Sequence, residues 1–431
     1  MSVARVFELY FKGAPPVALR AYDGSRTGPP DGPAEVEIRS PDAVGYLLTA
    51  PSQLGLARAY VSGALEIHGD LHHALHALLR GRERRLTPAD RAQLAREAAH
   101  VLDPSALRRP PLPPEEAPPA WRRGLRHSQA RDAAAIAHHY DVSNRFYEIV
   151  LGPSMAYSCA VFRTPHDSLQ DAQAEKFDLV CRKLMLRPGD RLLDIGAGWG
   201  GMVAHAAEHY GVRALGVTLS VRQAEWARRM LAGRGLASRA EVRLLDYRNI
   251  LECDFDAICS IGMSEHVGAR ELGGYAAALV ERLRPGGRLL NHCITRPSGR
   301  QGARTGAFID RYIFPDGELE APGTVISALH DHGLEVRHEE SLREHYALTL
   351  KAWSENLERR WPEAVAEVGE RRARVWRLYM AVSRVGFDLN RIQIHQVLGV
   401  RTGAGGRSGM PLRPTWEQAA PAREPELLAT H

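Results

Sequence analysis

The sequence predicts an α/β fold: a Rossmann-like, doubly wound sheet of seven strands, preceded by a smaller N-terminal α+β domain. From residue 136 onward, apolar strand-like runs alternate with helix-length segments, the pattern of a mostly parallel sheet covered by helices. The first run ends in a glycine-rich loop that leads into a helix, which favours a ligand at the carboxyl edge of the sheet. We expect strands, parallel until the end of the chain, at 191–196, 213–218, 240–245, 255–262, 287–295, 334–342 and 392–400.

The chain divides into four parts. Residues 1–103 form the N-terminal domain, with strands expected at 17–22 and 34–39 and helices at 42–48 and 88–102. Residues 104–130 are rich in Pro and Arg and predict a stiff, basic linker. Residues 131–401 form the main domain, in which 348–384 is expected to be helical, and 402–431 are expected to be a flexible tail.

Composition narrows the class of protein. A hydrophobic content of 44% with 25% charged residues is that of a globular protein, and no run of about 18 apolar residues predicts a membrane span. The N-terminus lacks the apolar core of a signal peptide, and the five cysteines form no C-x-x-C pair, so we expect a reducing, cytosolic location. The net charge of +5 is dispersed rather than interleaved with aromatic residues, which favours anionic lipid over nucleic acid as a partner.

The glycine loop indicates the ligand. A strand ends at Asp194, and Gly196, Gly198 and Gly200 then lead into a helix that begins near residue 201. Glycine lets backbone N–H groups approach a ligand closely, and this G-x-G-x-G is one residue shorter than the dinucleotide motif G-x-G-x-x-G. The shorter spacing is typical of the S-adenosylmethionine (SAM) loop of class I methyltransferases.

A series of motifs in one order makes the assignment more specific. The chain resembles the cyclopropane-fatty-acyl-phospholipid synthase family over roughly 135–400, whereas residues 55–63 resemble the family's N-terminal lipid-binding domain only loosely. The matching blocks are 139–147, 155–160, 192–200, 216–220 with Gln223, 260–266, 291–295 and 345–353.

The resemblance implies transfer of a methylene group from SAM to the cis double bond of an acyl chain in a membrane phospholipid. An alkene is a poor nucleophile, so the site must align it with the sulfonium methyl in a dry pocket. The second strand lacks the acidic residue that many class I enzymes place on the ribose. The cofactor residues implied are Tyr157, Ser158, Asp194, Gly196, Ala197, Gly198, Trp199, Gly200, Thr218, Leu219, Ser220, Gln223, Asp246 and Tyr247.

The resemblance also implies an unusual base, a bound bicarbonate that removes a proton from the methylated carbocation. Thiol, imidazole and phenol groups can donate hydrogen bonds to it, while a glutamate accepts its proton. Taken singly, Cys159, His292 and Tyr346 are more typical of a buried core, whereas Glu265 is less easily explained in that way, because buried acids are rarely left unpaired. The implied catalytic set is Cys159, Glu265, His292, Ile294 and Tyr346.

Other residues leave both functional and structural interpretations open. Phe308 and Tyr312 are the aromatic residues that we favour for an acyl channel, and Phe314 and Trp353 are further candidates. No metal is expected, because the reaction needs none and no acidic or Cys residue with ligand-like spacing supports the His cluster, which comprises His68, His72, His73 and His76.

Several functions remain open. A relative that makes a 10-methylene or methyl-branched acyl chain passes through the same carbocation, and a small-molecule N-methyltransferase or a lipid-binding protein with an inactive SAM domain are weaker alternatives. We expect a cytoplasmic protein at the inner face of the membrane, docked through the N-terminal domain and the arginines of the linker. Phospholipid acyl chains are the expected partners, a homodimer and a reductase partner stay open, and the linker arginines are Arg108, Arg109, Arg122 and Arg123.

Overall fold

The computed structural model describes residues 2–50, 53–81, 87–101, 110–118, 131, 143–300, 304–413 and 416. Its N-terminal part contains a four-stranded sheet in the order β2-β1-β3-β4, in which only β1 and β3 are parallel. The expected strands at 17–22 and 34–39 are confirmed as β1 and β3. The four strands are β1 (Ala18–Ala21), β2 (Arg26–Thr27), β3 (Ala34–Ile38) and β4 (Leu65–Gly69).

The main sheet has seven strands in the order β10-β11-β9-β8-β5-β6-β7, which confirms the predicted Rossmann-like sheet of seven strands. Only β11 runs antiparallel to its neighbours. The central strands are buried on both faces, which explains their continuous apolar runs. The strands are β5 (Arg191–Ile195), β6 (Arg213–Thr218), β7 (Ala240–Leu244), β8 (Phe255–Ile261), β9 (Leu283–Thr295), β10 (Glu335–Ser341) and β11 (Gln393–Val400).

Helices cover both sheets, and the stretch expected to be helical at 348–384 forms three helices. The breaks lie at Arg360, before a proline in the first turn of the next helix, and at Gly369, whose φ of 79° ends that helix. The helices are α1 (Val3–Tyr10), α2 (Pro41–Thr49), α3 (Gln53–Ser62), α4 (Leu71–Gly81), α5 (Pro88–Val101), α6 (Asn144–Leu151), α7 (Leu169–Lys183), α8 (Gly201–Tyr210), α9 (Val221–Gly233), α10 (Ser264–Val267), α11 (Leu272–Arg282), α12 (Ala307–Tyr312), α13 (Pro322–Asp331), α14 (Arg343–Arg359), α15 (Trp361–Val368) and α16 (Glu370–Asp388).

The N-terminal part shares its core with the helices of the main domain. One hydrophobic cluster contains Leu19 and Tyr60 together with Trp353 of α14. Arg374 on α16 is buried and donates to Glu66 Oε2 at 2.6 Å and to the backbone oxygen of Tyr60 at 2.8 Å. The two parts are therefore joined by apolar contacts and by a buried ion pair.

The described part of the linker also packs against this body. Glu116 has a side chain that is 1% exposed and pairs with Arg58 at 2.7 Å and with Arg311 at 2.5 Å. Residues 110–118 are therefore held against α3 and α12. The four linker arginines expected to face a membrane lie outside the described residues.

The described part of the C-terminal segment, residues 402–413 and 416, contacts the main domain, and the flexibility expected for 402–431 stays a prediction. Trp416 is buried, its ring lies 5.0 Å from that of His338, and its backbone oxygen accepts a hydrogen bond from Arg182 at 2.6 Å. Arg288 and Arg337 also donate to the backbone oxygens of Gly409 and Pro411, at 3.3 and 3.4 Å, so this segment has several contacts with the main domain that its glycine-rich composition does not reveal.

Candidate active site

A cleft opens at the carboxyl ends of β5 and β6, where the glycine loop turns into α8. The backbone N–H groups of Gly196 and Ala197 donate to the Val217 oxygen at 3.0 and 2.9 Å and tie the loop to β6. Gly196, Gly198 and Gly200 all have positive φ angles, of 79°, 53° and 83°. These conformations favour glycine, which explains the spacing of the motif.

The three glycines differ in what surrounds them. A Cβ on Gly196 would lie 2.6 Å from the Met263 side chain, and one on Gly200 would lie 3.0 Å from Ala227 Cβ. A Cβ on Gly198 would meet no atom within 4 Å. Gly198 therefore borders open space in the cleft, whereas the other two allow close packing of the loop.

The cleft encloses about 960 Å³, including solvent at its mouth, and eleven of the fourteen predicted cofactor residues line it. An elongated nucleoside with a cationic sulfur and an amino-acid group fits a cradle of glycine backbone and polar side chains, Asp194 among them. The lining members are Tyr157, Ser158, Asp194, Gly196, Ala197, Gly198, Trp199, Thr218, Leu219, Gln223 and Tyr247.

The other three predicted cofactor residues have local structural contacts. Gly200 precedes α8 in a left-handed conformation, and Ser220 caps α9 by accepting from the Gln223 N–H at 3.3 Å. Asp246 accepts hydrogen bonds from the Arg248 side chain at 2.7 and 2.8 Å. That pairing lowers the pKa of Asp246 against the effect of burial, so its carboxylate is already engaged.

A buried lysine lies in the wall of the cleft, and the sequence analysis did not identify it. Lys176 donates to Ser158 Oγ at 3.0 Å, and its ammonium lies 3.7 Å from the centre of the Phe177 ring. Burial lowers the pKa of Lys176 to about 7, and burial raises that of Asp194 to about 6. Lysines are only four in this arginine-rich chain, and two of them, Lys176 and Lys183, lie on α7. The rarity of lysine in the sequence could therefore have indicated that Lys176 has a special role.

A second cavity of about 1160 Å³, again including solvent, adjoins the cofactor cleft. The two share Tyr157, Gly262 and His266 as walls. Burial lowers the pKa of His266 to about 4, so this wall is uncharged at neutral pH. The interior is largely apolar and aromatic, with Ile294, Ile309, Phe314, Leu319, Tyr346, Leu350, Tyr379, Phe387 and Ile392 among its lining residues.

The aromatic residues favoured for a channel do not line this cavity. Phe308 is 1% exposed and Tyr312 is 6% exposed, and both pack into the core that joins α12 to the N-terminal part. Trp353 is also buried in that core. Phe314, one of the two further candidates, does line the cavity. It lies just beyond the end of the short helix α12, whose own aromatic residues are turned into the core.

Glu265 forms part of the wall of the second cavity. Its Oε1 accepts the backbone N–H of Ile294 at 2.7 Å, whereas its Oε2 is buried and has no hydrogen-bond partner among the described residues. Burial raises the pKa of Glu265 to about 7, although the Ile294 bond lowers it. Tyr346, on α14, lines the same cavity. Three members of the predicted catalytic set, Glu265, Ile294 and Tyr346, therefore line one cavity.

Cys159 and His292, the other two members of the predicted set, do not line this cavity. The Cys159 thiol is fully buried and points to the backbone oxygens of Ala160 and Leu342 at 3.2 and 3.7 Å. Burial raises its pKa, so it remains a thiol. His292 Nδ1 faces Gln396 Nε2 at 3.1 Å, and its Nε2 is buried without a partner among the described residues. Burial lowers the pKa of His292 to about 3, so the ring is neutral.

Three arginines that sequence patterns did not single out also border the second cavity. Arg304 and Arg391 are exposed, and Arg296 is largely buried and pairs with Glu320 at 3.1 Å. Arg391 lies far in sequence from Arg296 and Arg304, and none of the three belongs to a recognisable motif, so the fold brings them to one cavity.

Two further properties concern the chain as far as the structure describes it. None of its described helices combines the length and the apolar character needed to cross a membrane. Among the same residues, no group of three or more His, Cys, Asp or Glu side chains is arranged to hold a metal ion. In the His cluster, His68 pairs with Glu37 at 2.8 Å and His72 with Asp388 at 2.7 Å.

Known proteins are similar to this chain in sequence. Residues 127–397 match the family described as mycolic acid cyclopropane synthetase. A probable fatty acid methyltransferase of Mycobacterium tuberculosis is 48% identical over 97% of this chain and 99% of its own length. The cyclopropane-fatty-acyl-phospholipid synthase of Escherichia coli K12 is 31% identical, over 86% of this chain and 90% of its own.

A solved structure extends the similarity to three dimensions. The mycolic acid cyclopropane synthase CmaA1, complexed with SAH and CTAB, superposes with a TM-score of 0.59 at 32% identity. The match covers 62% of this chain and 97% of the other.

Proposed function

This chain belongs to the mycolic acid cyclopropane synthetase family and is a SAM-dependent methyltransferase, and we propose that its substrate is a cis-unsaturated acyl chain of a membrane phospholipid. The proposed product is a cyclopropane acyl chain, formed through a carbocation that loses a proton to bound bicarbonate. The cofactor cleft supports the binding of SAM, and the second cavity supports the binding of the acyl chain and the loss of the proton.

One observation carries the proposal: an apolar cavity adjoins the cofactor cleft and shares three wall residues with it. A double bond has no charge or hydrogen-bonding group by which it can be oriented, so shape and apolar contact must position it. A small amine needs no such cavity. An apolar cavity next to a SAM cleft therefore favours an acyl chain, rather than a small amine, as the substrate.

The chain's own residues have distinct roles in this reaction. When bound, SAM supplies an electrophilic methyl group: the alkene carbon forms a bond to it while the carbon–sulfur bond breaks. Tyr157 donates to the Tyr379 hydroxyl at 3.1 Å, so two rings are fixed beside the place where the two cavities meet. Aromatic faces stabilise a nearby cation. Loss of a proton from the new methyl group then closes the three-membered ring.

Two buried polar atoms without hydrogen-bond partners among the described residues support the proposed anion site. Glu265 Oε2 and His292 Nε2 both lack partners among the described residues, although buried polar groups are ordinarily paired. A carboxylate oxygen that accepts and an imidazole N–H that donates suit bicarbonate, which carries both a proton and acceptor oxygens. Bicarbonate would supply a base small enough to approach the cation. Glu265, with a pKa of about 7, can hold a proton at Oε2.

The arginines that border the cavity support a substrate with an anionic end. Arg304 has no ion pair to a described residue, and Arg391 is exposed. A phosphate group bound there would leave its acyl chain facing the apolar interior. We propose that the protein acts at the cytoplasmic face of the membrane, with the N-terminal part and the basic linker as the docking surface. A homodimer is compatible with this surface.

The second candidate is a methyl-branched or 10-methylene product. It is favoured by the similarity to a relative named as a probable fatty acid methyltransferase. Both products begin with the same carbocation, but the branched one requires a hydride shift and, for a saturated chain, a reductase partner. The apolar cavity, Glu265 Oε2 and His292 Nε2 suit either reaction equally.

Product analysis tests the proposal. The purified full-length protein is incubated with SAM and with vesicles of cis-unsaturated phosphatidylglycerol, matched saturated phosphatidylglycerol, or a free cis-unsaturated fatty acid. We expect the mass of one CH2 unit to appear only in unsaturated acyl chains of the phospholipid, and proton NMR to show cyclopropane rather than vinylic hydrogens. Modification of the free acid alone, or of the head group, would overturn the substrate assignment.

A further inference from the structure

A chain of buried hydrogen bonds leads from α7 to His292. Lys183 ends α7, and its side chain is fully buried. Its Nζ donates to Gln396 Oε1 at 2.7 Å and pairs with Glu340 on β10. Gln396, on β11, lies directly opposite His292 in the register of β11 and β9. Its Nε2 is 3.1 Å from His292 Nδ1.

The lysine decides which way the glutamine amide faces. An ammonium group has only donors, so the amide atom beside it must be the carbonyl oxygen Oε1. The pairing of Lys183 with the Glu340 carboxylate keeps the lysine in this donor form. The amide nitrogen of Gln396 must then face His292. This orientation follows from chemistry rather than from the assignment of O and N atoms.

The glutamine in turn decides which ring nitrogen of His292 carries the proton. An amide nitrogen can only donate, so His292 Nδ1 must accept and cannot carry a hydrogen. A neutral imidazole has one N–H, which therefore lies on Nε2. This nitrogen is the buried atom without a partner among the described residues. The fold thus holds an unsatisfied N–H donor on His292, two residues before Ile294 in β9, and the Ile294 backbone N–H bonds to Glu265.

We infer that Lys183 and Gln396 are positioning residues that hold His292 in the Nε2–H tautomer, so that it donates a hydrogen bond to the small oxyanion that receives the proton. This inference rests on the proposed function for the identity of the anion. Neither residue touches the reacting atoms. Without them, His292 would be free to present an Nε2 lone pair, which repels an anion.

Gln396→Glu is the sharpest perturbation. The side chain keeps its size and its partner Lys183, but its carboxylate accepts from His292 and moves the ring proton to Nδ1. Gln393→Glu is the matched control, because it places the same charge on the same strand and Gln393 bonds to Asn390 instead. The tautomer is read from the ¹⁵N chemical shifts of histidine-labelled protein without substrate, with the His292 signals assigned by their loss in His292→Asn.

We expect the Nε2–H form in the wild type and in Gln393→Glu, and the Nδ1–H form in Gln396→Glu. The half-saturating bicarbonate concentration should rise about ten- to a hundredfold in Gln396→Glu, the cost of a lost hydrogen bond to a charged group, with SAM affinity unchanged. If Gln396→Glu does not fold, Lys183→Met is used, in which the amide can rotate and both tautomers should appear.

An Nδ1–H form in the wild type, or an unchanged tautomer in Gln396→Glu, would overturn the inference. The outcome is separable from that of the proposed function. If the tautomers follow expectation but no lipid is modified, the proposed function fails and the hydrogen-bond chain stands. If lipid is modified while His292 carries its proton on Nδ1, the opposite holds.

Discussion

Replacing Glu265 by glutamine should remove a pH-dependent contribution to stability. Burial raises the pKa of this carboxyl from its ordinary 4.5 to about 7. A proton on Glu265 therefore stabilises the folded state. That contribution is fully present below about pH 4.5 and is lost as the pH rises through about 7. At about 1.4 kcal/mol per pKa unit, the shift corresponds to about 3 kcal/mol.

The assay compares urea unfolding of the wild type and of Glu265→Gln at about pH 5 and about pH 8, where most of this window is crossed. The free energy of unfolding of the wild type, measured relative to the variant, should fall by about 2–3 kcal/mol between the two conditions. Glu271→Gln is the control, because Glu271 is an exposed carboxylate at the start of α11. Its difference from the wild type should not change in this way.

The same variant tests catalysis. Glu265→Gln should retain SAM binding, because the side chain lines the second cavity rather than the cofactor cleft. Turnover should fall about 10²–10⁴-fold, the range for a lost acid–base group. A stability difference independent of pH would refute the reasoning about burial, and near-normal turnover would refute the assigned role of Glu265.

Three further predictions concern cofactor, substrate and fold. Gly198→Ala should weaken SAM binding by at least about tenfold in calorimetric titration, and its backbone strain should cost the folded state about 1 kcal/mol. Gly196→Ala should lower the melting temperature further than Gly198→Ala does, because its Cβ meets Met263. Equal melting temperatures of the two variants would contradict this distinction. Arg304→Gln should raise the half-saturating concentration of anionic vesicles about fivefold at unchanged kcat, since one arginine near anionic lipid contributes about 1 kcal/mol, and an equal change on neutral vesicles would count against a phosphate contact. Arg374→Ala should destabilise the protein by about 2–4 kcal/mol in urea, because the buried backbone oxygens of Tyr60 and Leu65 lose their donor, while Glu66 keeps Arg39 at 3.4 Å. A change below about 1 kcal/mol would show that these contacts do not join the two parts.

The central strands of the main sheet were predictable because they are buried on both faces and therefore read as apolar runs, whereas the edge strands β7 and β10 are partly exposed and less apolar. Gly198 was predictable because its positive φ and open surroundings leave glycine as the natural residue. Both properties are local to a few residues, so a sequence pattern can carry them. The predicted strands at 255–262 and 287–295, for instance, differ from β8 and β9 mainly at their ends.

Features that depend on distant parts of the chain could not be predicted. Tyr379 and Arg304 reach one cavity from a late helix and from an irregular segment, and no periodicity relates them. Phe308 and Tyr312 are of the right type to line a channel, yet α12 turns both into the core shared with the N-terminal part. Which face of a short helix meets a cavity is decided by packing rather than by residue type.

The central claim, attack by an acyl double bond followed by loss of a proton from the transferred methyl group, is tested most directly with SAM that carries a CD3 group. Unsaturated phosphatidylglycerol vesicles are treated with this cofactor, and the released fatty acids are analysed by mass spectrometry and deuterium NMR. Loss of one deuteron to the base predicts acyl chains that gain a CD2 bridge, two deuterons of the three transferred. Retention of all three in a CD3 group, or their appearance in the head group, would contradict the account.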